Sequence, residues 1–416
     1  MAESSERIVI VGAGHAGGEL AAALRMEGCT APISLVGEED HLPYQRPPLS
    51  KAFLSGQAAV ESLYLRPAAT YEKQGIELLS GCRVGAIDRG ARDIELTDGR
   101  RLPYRKLALT TGGRARRLPP AIATGAEDCG NLHYLRSIQD VRRIQAQFEA
   151  GFRLVIVGGG YIGLEVAAVG LKRGLHVTVL EAMPRVLGRV TAPELSTFYE
   201  RIHREAGVDI RTNTTVTGFE LDTSRDAVSA VLTSMGRVAA DLVIVGIGLQ
   251  PNVELAQAAG LEVSDGIVVD EFTVTSDPDI VAAGDCTNHP NTALGRRVRL
   301  ESVPNAVEQA RTAAAVLAGK PRSYDAVPWF WSDQYDLKLQ MVGLSAGYDQ
   351  LVLRGSTAGR SFAAFYLREG LLIAADAVSR PQEFMIAKRL VAARASVSAV
   401  NLADESFPLK SLLGSR

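Results

Sequence analysis

The chain has 416 residues, a formal net charge of −2 at pH 7 and 46% hydrophobic residues. This length exceeds what one hydrophobic core usually supports, so we expect two or three domains. The balanced charge excludes a strong general attraction to nucleic acid or acidic membranes, and the apolar runs are too short or too interrupted by glycine to span a bilayer.

The chain starts with polar and acidic residues, not with the pattern of a signal peptide, so we expect a cytoplasmic protein. Four cysteines, Cys29, Cys82, Cys129 and Cys286, form no closely spaced pair. We therefore expect reduced thiols, and we assign no metal ligands.

The first recognisable unit is RIVIVGAGHAGGEL, residues 7–20, an apolar strand pattern that leads into an alanine-rich helical pattern. Gly12, Gly14 and Gly17 lie between the two. This order is typical of a dinucleotide site, because the glycines allow a tight turn, close approach of a pyrophosphate and close helix packing. The phosphates then lie at a helix N-terminus, which favours negative charge.

The next strand pattern is ISLVGEE, residues 33–39. An acidic residue at this point commonly accepts hydrogen bonds from the adenosine ribose, and Glu38 is the candidate, with Glu39 as the alternative. Paired prolines then precede a predicted helix that starts near residue 49 or 50. Arg46 and Lys51 lie on either side of that turn and are candidates to contact phosphate or flavin.

KLALTTGG, residues 106–113, is an apolar strand pattern with a polar, glycine-rich end, where ligands bind in parallel sheets. RLVIVGGGYIGLEV, residues 153–166, then repeats the first unit with Gly158, Gly160 and Gly163. Two such units predict two dinucleotides, which together suggest a flavin that a nicotinamide reduces. Glu181 ends the following strand, and its charge favours NADH over NADPH.

AAGD, residues 282–285, ends another apolar strand, where Asp285 is a candidate to accept bonds from ribityl hydroxyls. The helix predicted from about Val303 directs the positive end of its dipole at whatever it faces, which suits a reduced flavin. From residue 324 the pattern becomes that of antiparallel strands followed by a helix over 381–393. Trp329 and Trp331 come just before these strands, either as core aromatics or as rings beside the cofactors.

Together these motifs resemble the FAD-dependent ferredoxin reductases of oxygenase systems. The resemblance runs from about residue 6 to beyond 400, and it is most specific in RPPLSK at 46–51 and PWFWSDQY at 328–335. It implies a glutathione-reductase-like α/β fold with two Rossmann-type domains and a C-terminal α/β domain. The FAD domain would comprise 1–112 and 250–325, the NAD domain 113–249 and the C-terminal domain 326–416.

The resemblance also assigns roles to residues. Lys51, Glu165 and Trp331 would act nearest the chemistry: Lys51 near flavin N5, Glu165 near the nicotinamide and Trp331 near the flavin on the ferredoxin side. The residues expected to bind the cofactors are Gly12, Gly14, Ala16, Gly17, Glu38, Arg46, Lys51, Thr111, Gly112, Gly160, Ile162, Gly163, Glu181, Gly284, Asp285, Val303 and Trp331. The redox cysteine pair that disulfide reductases carry near residue 50 is absent, which leaves transfer from flavin to an external acceptor.

The expected activity is hydride transfer from NADH to FAD, followed by single-electron transfer to a [2Fe–2S] ferredoxin that feeds a cytochrome P450 monooxygenase. A reductase of an aromatic-ring dioxygenase is the alternative, and rubredoxin reductase, NADH oxidase and monodehydroascorbate reductase share the scaffold. We expect a monomer or weak dimer that binds no nucleic acid. Basic residues near the flavin edge are expected to dock the acidic ferredoxin: Arg296, Arg297, Arg299, Lys338 and Arg389.

Overall fold

The computed structural model describes residues 6–292 and 294–413, and these form two compact units. Of the described residues, the first unit comprises those within 6–46, 60–114 and 249–328, and the second those within 47–59, 115–248 and 329–413. Each unit contains one parallel five-stranded sheet. The chain passes between the units several times, so neither is one continuous segment.

The strands in chain order are β1 Ile8–Val11, β2 Ile33–Val36, β3 Ile76–Leu79, β4 Val84–Asp88, β5 Asp93–Leu96, β6 Arg101–Pro103, β7 Lys106–Leu109, β8 Gly113–Ala115, β9 Leu132–Tyr134, β10 Arg153–Val157, β11 His176–Leu180, β12 Asp209–Arg211, β13 Val216–Leu221, β14 Val228–Thr233, β15 Gly236–Ala239, β16 Leu242–Val245, β17 Leu249–Pro251, β18 Ile267–Val268, β19 Ile280–Ala282, β20 Thr287–Asn291, β21 Arg296–Val298, β22 Trp329–Gln334, β23 Leu337–Gly343, β24 Gln350–Gly355, β25 Phe362–Arg368 and β26 Leu371–Val378.

The helices are α1 His15–Met26, α2 Ala68–Lys73, α3 Pro120–Ala123, α4 Ile138–Gln145, α5 Tyr161–Lys172, α6 Pro193–Ala206, α7 Glu254–Ala258, α8 Val303–Leu317, α9 Pro381–Ala392 and α10 Ala399–Ala403. Their termini carry the expected signals. Pro193 begins α6 and Gly207 ends it with a left-handed φ of 108°.

In the first unit the parallel sheet has the order β19–β7–β1–β2–β3. All four residues of β1 are buried, as expected for a strand covered on both faces. Helices α1 and α8 pack together through alanine and leucine side chains on one face. The antiparallel sheet β4–β5–β6 contributes Ile94 and Leu96 to the core on the other face.

In the second unit the parallel sheet has the order β12–β11–β10–β16–β9, and the small antiparallel sheet β13–β14–β15 packs nearby. The same unit contains the antiparallel sheet β22–β23–β26–β25–β24, against which α9 packs. Helix α5 contacts both β11 and β22. Side chains on α5 are therefore placed between the parallel sheet and the C-terminal antiparallel sheet.

Two local predictions were wrong. The proline-rich turn leads into a short 3-10 helix, Pro47–Ser50, and not into a helix that starts near residue 49 or 50. Trp329 and Trp331 do not precede the antiparallel strands but lie within β22. Their aromatic rings fit a pleated strand, and the pairing with β23 begins at Trp329.

Candidate functional site

The first glycine turn has the geometry that a dinucleotide needs. Gly12 adopts a φ of 109°, and a Cβ atom at Gly12 or Gly17 would lie closer than 3.0 Å to a backbone oxygen. Gly14 precedes α1 and has open space around it, with nothing within 4 Å of an added Cβ. No side chain caps α1, and among the described residues no partner is found for the N–H of Ala16 or Gly17. These donors suit a pyrophosphate.

The loop of Gly284 and Asp285 lies beside this turn. Gly284 has a φ of 91°, and its backbone N–H donates to the Gln309 side chain over 2.8 Å. Its small size matters, because an added Cβ would lie 3.1 Å from Ala16 Cβ. Nδ1 of His15 is buried and lacks a hydrogen-bond partner within the described residues. Asp285 acts on His15 electrostatically, while burial lowers the pKa of His15. An orphaned buried nitrogen here fits a site that a polar cofactor completes.

The two acids after β2 have different surroundings. Glu39 is engaged by Tyr44 Oη at 2.6 Å and by Arg46 Nη2 at 2.6 Å, and Arg46 also donates to Tyr44 over 2.8 Å. Although burial opposes it, Arg46 holds the pKa of Glu39 below its usual range. Glu38 is exposed, and within the described residues its side chain pairs with the exposed Arg83 alone, at 3.1 Å. Glu38 is therefore the more accessible of the two acids, and Arg46 is held in place by Glu39.

Two further predicted positions lie at the end of β7 and at the start of α8. Thr111 Oγ1 donates to the carbonyl of Asn252 over 2.7 Å, and Gly112, with a φ of 60°, accepts from the Asn252 N–H over 3.0 Å. The Ser302 side chain caps α8 by accepting from the Asn305 N–H over 3.3 Å. Since Pro304 has no N–H, the Val303 N–H is the donor left at this helix end among the described residues.

The second glycine turn repeats the first. Gly158 has a φ of 111°, and an added Cβ at Gly163 would lie closer than 3.0 Å to the carbonyl oxygen of Gly158. Gly160 is open on all sides and precedes α5, which has no side-chain cap. Ile162, in the first turn of α5, is 46% exposed although it is apolar. An exposed apolar side chain beside uncapped helix donors suits a nucleotide ring next to its phosphates.

Glu181 is held by backbone donors at the end of β11. Its Oε2 accepts from the Gly159 N–H over 2.7 Å, and its Oε1 accepts from the Met183 N–H over 2.8 Å. Arg185, which could favour a 2′-phosphate, instead donates to the carbonyls of Thr191 and Gly188. The Glu181 carboxylate is therefore fixed at the strand end, while the Arg185 guanidinium is hydrogen-bonded within its own loop.

Lys51 and Glu165 meet inside the second unit. Lys51 Nζ donates to Glu165 Oε2 over 2.7 Å and to the carbonyl of Pro47 over 3.2 Å. Glu165 is 4% exposed and also accepts from Ser50 Oγ over 2.5 Å and from Ser332 Oγ over 2.6 Å. Burial raises the pKa of Glu165, and the charge of Lys51 opposes that rise. Sequence reasoning singled out Lys51 and Glu165 separately; it predicted neither their ion pair nor the two serine donors.

Trp331 belongs to an aromatic cluster at the start of β22. Its ring centroid lies 5.6 Å from that of Trp329 and 6.3 Å from that of Phe330. Trp329 in turn packs against Phe384 and carries the Lys388 ammonium 4.9 Å from its ring centroid. Trp331 remains partly exposed, so it is not a fully buried core residue.

The five basic residues predicted to dock a ferredoxin differ in whether their side chains already bond to other groups of the protein. The Arg297 guanidinium donates to the carbonyls of Val269 and Asn288, and Arg299 forms ion pairs with Asp265 and Glu301. Arg297 is exposed despite these bonds, and Arg296, Lys338 and Arg389 are exposed with no side-chain bond among the described residues. These three are therefore better placed to meet an acidic partner than the two committed arginines.

Comparison with known proteins decides the family. Residues 6–310 match the family model described as pyridine nucleotide-disulphide oxidoreductase, and residues 329–413 match the model described as reductase C-terminal. Putidaredoxin reductase CamA of Pseudomonas putida is 52% identical over 412 residues, covering 99% of this chain and 97% of the relative. The chain belongs to the ferredoxin reductases of oxygenase systems.

Other members of this family are similar over the same length. The ferredoxin–NAD(+) reductase component of the anthranilate 1,2-dioxygenase system of Burkholderia cepacia is 43% identical and covers 99% of this reductase and 100% of its own length. The crystal structure of the covalent putidaredoxin reductase–putidaredoxin complex superposes with a TM-score of 0.95 at 52% identity, over 98% of both chains.

These matches confirm the predicted family and the predicted fold class, two Rossmann-type domains with a C-terminal α/β domain. They also confirm an oxidoreductase that uses FAD and NAD(H). Within the described ranges, no helix is both long enough and apolar enough to cross a membrane.

Proposed function

We propose that this reductase takes a hydride from NADH and delivers single electrons to a [2Fe–2S] ferredoxin of a cytochrome P450 system. The observation that carries the proposal is the pair of uncapped glycine turns at Gly14 and Gly160, each followed by an acid at the next strand end. Bound FAD supplies the chemistry that divides one hydride into two single electrons. The protein's own residues orient the cofactors and adjust their charge environment.

Each nucleotide is proposed to have its own set of residues. Residues 1–112 and 250–325 are proposed to bind FAD, through Gly12, Gly14, Ala16 and Gly17 at the pyrophosphate and the set Glu38, Arg46, Thr111, Gly112, Gly284, Asp285 and Val303 along the rest of the cofactor. Residues 113–249 are proposed to bind NADH through Gly160, Ile162, Gly163, Glu165 and Glu181. Residues 326–416 form the proposed C-terminal domain, which contributes Trp331.

Lys51 and Glu165 are proposed to control charge and access next to the reacting rings. The ion pair holds the Lys51 ammonium in one position, because Glu165 is itself fixed by Ser50 and Ser332. A fixed positive group favours a negative charge that develops nearby, and it does so without reorganising. Neither residue needs to make or break a covalent bond.

The absence of a cysteine in residues 41–56 supports an external acceptor. A dithiol relay of the disulfide-reductase type requires a cysteine pair in that segment, and here Lys51 and its neighbours occupy it. The partly exposed Trp331 and the exposed Arg296, Lys338 and Arg389 are proposed to meet the ferredoxin.

The identity to putidaredoxin reductase, 52%, is higher than the 43% to the dioxygenase component, and this supports the P450 assignment. The test is stopped-flow mixing of FAD-loaded protein with NADH and then with ferredoxins of P450 and dioxygenase systems. Faster reduction of the P450-type ferredoxins is expected. Preference for the dioxygenase type would contradict the P450 assignment, and reduction of neither would contradict the function.

A further inference from the structure

Glu165 is the inner end of a chain of hydrogen bonds that reaches the protein surface. Its Oε1 accepts from Ser332 Oγ over 2.6 Å, and Ser332 Oγ lies 3.2 Å from Gln334 Nε2. Gln334 Oε1 lies 2.9 Å from His203 Nε2, and His203 Nδ1 lies 3.0 Å from Tyr335 Oη. Ser332 and Gln334 are both buried, whereas Tyr335 is 38% exposed.

Two elements of the second unit supply the chain beyond Glu165. Ser332 and Gln334 stand two residues apart on β22, so both side chains point to the same face of the strand. Tyr335 follows at the turn after β22 with a φ of 57°, and His203 projects from α6. The contact between α5 and β22 brings the near end of this chain onto Glu165.

The carboxylate dictates the direction of every hydrogen bond. An ionised Glu165 only accepts, so Ser332 donates its proton to Glu165 and accepts from the Gln334 amide N–H. The Gln334 oxygen therefore faces His203, which must carry its proton on Nε2 to donate. A neutral His203 then accepts at Nδ1 from the Tyr335 hydroxyl. Four donors in series thus point toward one negative charge.

The neighbouring titratable groups are neutral or already paired. Burial lowers the pKa of His203 to about 4, so its imidazole is neutral near pH 7. Tyr161, on the same helix as Glu165, and Tyr199, on α6, interact electrostatically with Glu165, and burial raises the pKa of both above the usual phenol value. Lys51 is the cation that faces Glu165. The carboxylate therefore depends on Lys51 and on hydrogen-bond donors for its charge.

We propose that Ser332, Gln334, His203 and Tyr335 are positioning residues that keep Glu165 ionised, so that the Lys51–Glu165 pair has no net charge. With the pair neutral, the charge beside the bound flavin stays constant across the working pH range, a consequence that rests on the proposed function. A network with only a structural role would satisfy the same buried polar atoms, but it would fix neither the direction of the hydrogen bonds nor the charge of Glu165.

The first test measures the direction of the chain in the FAD-loaded protein. ¹⁵N-histidine labelling reports the tautomer of each of the six histidines, and loss of one signal in His203→Gln assigns His203. The expected result is the Nε2–H tautomer from pH 6 to pH 9. The Nδ1–H tautomer, or a protonated ring at pH 7, would overturn the proposal.

The second test measures the charge of Glu165. The infrared band of a protonated carboxyl group is followed with pH and assigned by its loss in Glu165→Gln. Ser332→Ala should raise the titration of this carboxyl by roughly one to two pH units, because a hydrogen bond to a charged group is lost. Ser332→Thr keeps the hydroxyl and should restore the wild-type value.

Tyr335→Phe tests the outer end of the chain at a partly exposed position, where misfolding is not expected. Like Ser332→Ala, it should raise the pH at which the Glu165 carboxyl titrates, but by a smaller amount. Tyr199→Phe is the matched control, because the Tyr199 hydroxyl has no hydrogen-bond partner among the described residues. If the Glu165 carboxyl titrates at the same pH in Tyr335→Phe, Ser332→Ala and Tyr199→Phe, the proposal is overturned.

A third test, the midpoint potential of bound FAD as a function of pH, separates this inference from the proposed function. The pH at which the midpoint potential of bound FAD changes slope should move with the titration of Glu165 in Ser332→Ala. If that pH stays the same while the titration of Glu165 moves, the link between Glu165 and the flavin is contradicted. Failure to bind FAD or to react with NADH would instead contradict the proposed function. The tautomer and infrared results would still show whether the hydrogen bonds have the proposed direction and whether Glu165 is ionised.

Discussion

At the scale of single residues, we propose that Glu181 sets the choice of coenzyme. Both of its carboxylate oxygens are aligned by backbone N–H groups, and Arg185 is turned into its own loop. A fixed carboxylate accepts from a ribose 2′-hydroxyl but repels a 2′-phosphate. The proposed preference for NADH therefore rests on the Glu181 carboxylate.

Replacing Glu181 with alanine should narrow the preference for NADH over NADPH. Loss of one charge-assisted hydrogen bond and of the repulsion predicts a fall in the ratio of the kcat/KM values by roughly 10- to 100-fold. The rates of flavin reduction by the two coenzymes measure it, with Glu194→Ala, at an exposed glutamate outside the proposed binding residues, as the matched control. A wild-type protein that NADPH reduces faster would contradict the assignment.

A second single-residue prediction concerns Asp376, which is 4% exposed and accepts from Tyr366 Oη over 2.5 Å. Burial raises the pKa of Asp376 to about 7, above its value of about 4 in the unfolded chain. The folded state therefore favours the protonated acid. This contribution to stability is complete below about pH 4 and is lost as the pH rises through about 7.

Asp376→Asn should remove this pH dependence. Relative to wild type, the variant should gain about 1.4 kcal/mol of unfolding free energy for each pH unit between about 4 and 7, and little beyond. Melting temperatures at pH 5 and pH 8 measure it, with the exposed Asp128→Asn as control. A constant difference between wild type and Asp376→Asn at both pH values would refute the assignment.

At the scale of elements, the two glycine turns show why some glycines serve the fold and others serve the ligand. At Gly17, an added Cβ would collide with the Gly12 carbonyl, while at Gly14 it would meet open space. The same contrast holds between Gly163 and Gly160. The third glycine therefore sets helix packing, while the second leaves the open space that we propose the pyrophosphate occupies.

Gly17→Ala should lower stability by about 1 to 3 kcal/mol, because the helix must move away from the strand. Gly14→Ala should change the stability of the FAD-free protein by less than about 1 kcal/mol but weaken FAD binding by at least about tenfold. Thermal melting without FAD and flavin titration separate the two effects. Equal loss of stability in both variants would contradict this division of roles.

Periodic and local features of the sequence were enough to predict these turns, because the strand, the glycines and the start of the helix lie within the 14-residue stretches 7–20 and 153–166. The same reasoning could not find Ser332, which lies 167 positions from Glu165 along the chain. One signal was present: Ser332 and Gln334 are polar at alternate positions of a strand whose first three residues are aromatic. The 3-10 helix at Pro47–Ser50 was missed because paired prolines fit either helix type at their first turn.

At the scale of the whole molecule, the net charge of −2 gives no general attraction to an acidic partner. We propose that attraction comes instead from individual basic side chains on the surface, the exposed Arg296, Lys338 and Arg389. Such groups act mainly on the rate of association, and salt screens them.

Charge reversal at Lys338 or Arg389 should slow electron transfer to the ferredoxin several-fold at low ionic strength and flatten its salt dependence. Reduction of the flavin by NADH should be unchanged, because that step needs no ferredoxin. Lys73→Glu changes the net charge equally and serves as the control. If the variants keep the wild-type salt dependence, these residues do not dock the partner.

The most direct test of the central assignment is an anaerobic titration of the FAD-loaded protein. One equivalent of NADH should abolish the oxidised flavin absorbance, and two equivalents of oxidised [2Fe–2S] ferredoxin should restore it. Such counting follows from one hydride divided into two single electrons. A protein that takes up no FAD, or whose flavin absorbance stays unchanged after NADH is added, would contradict the assignment.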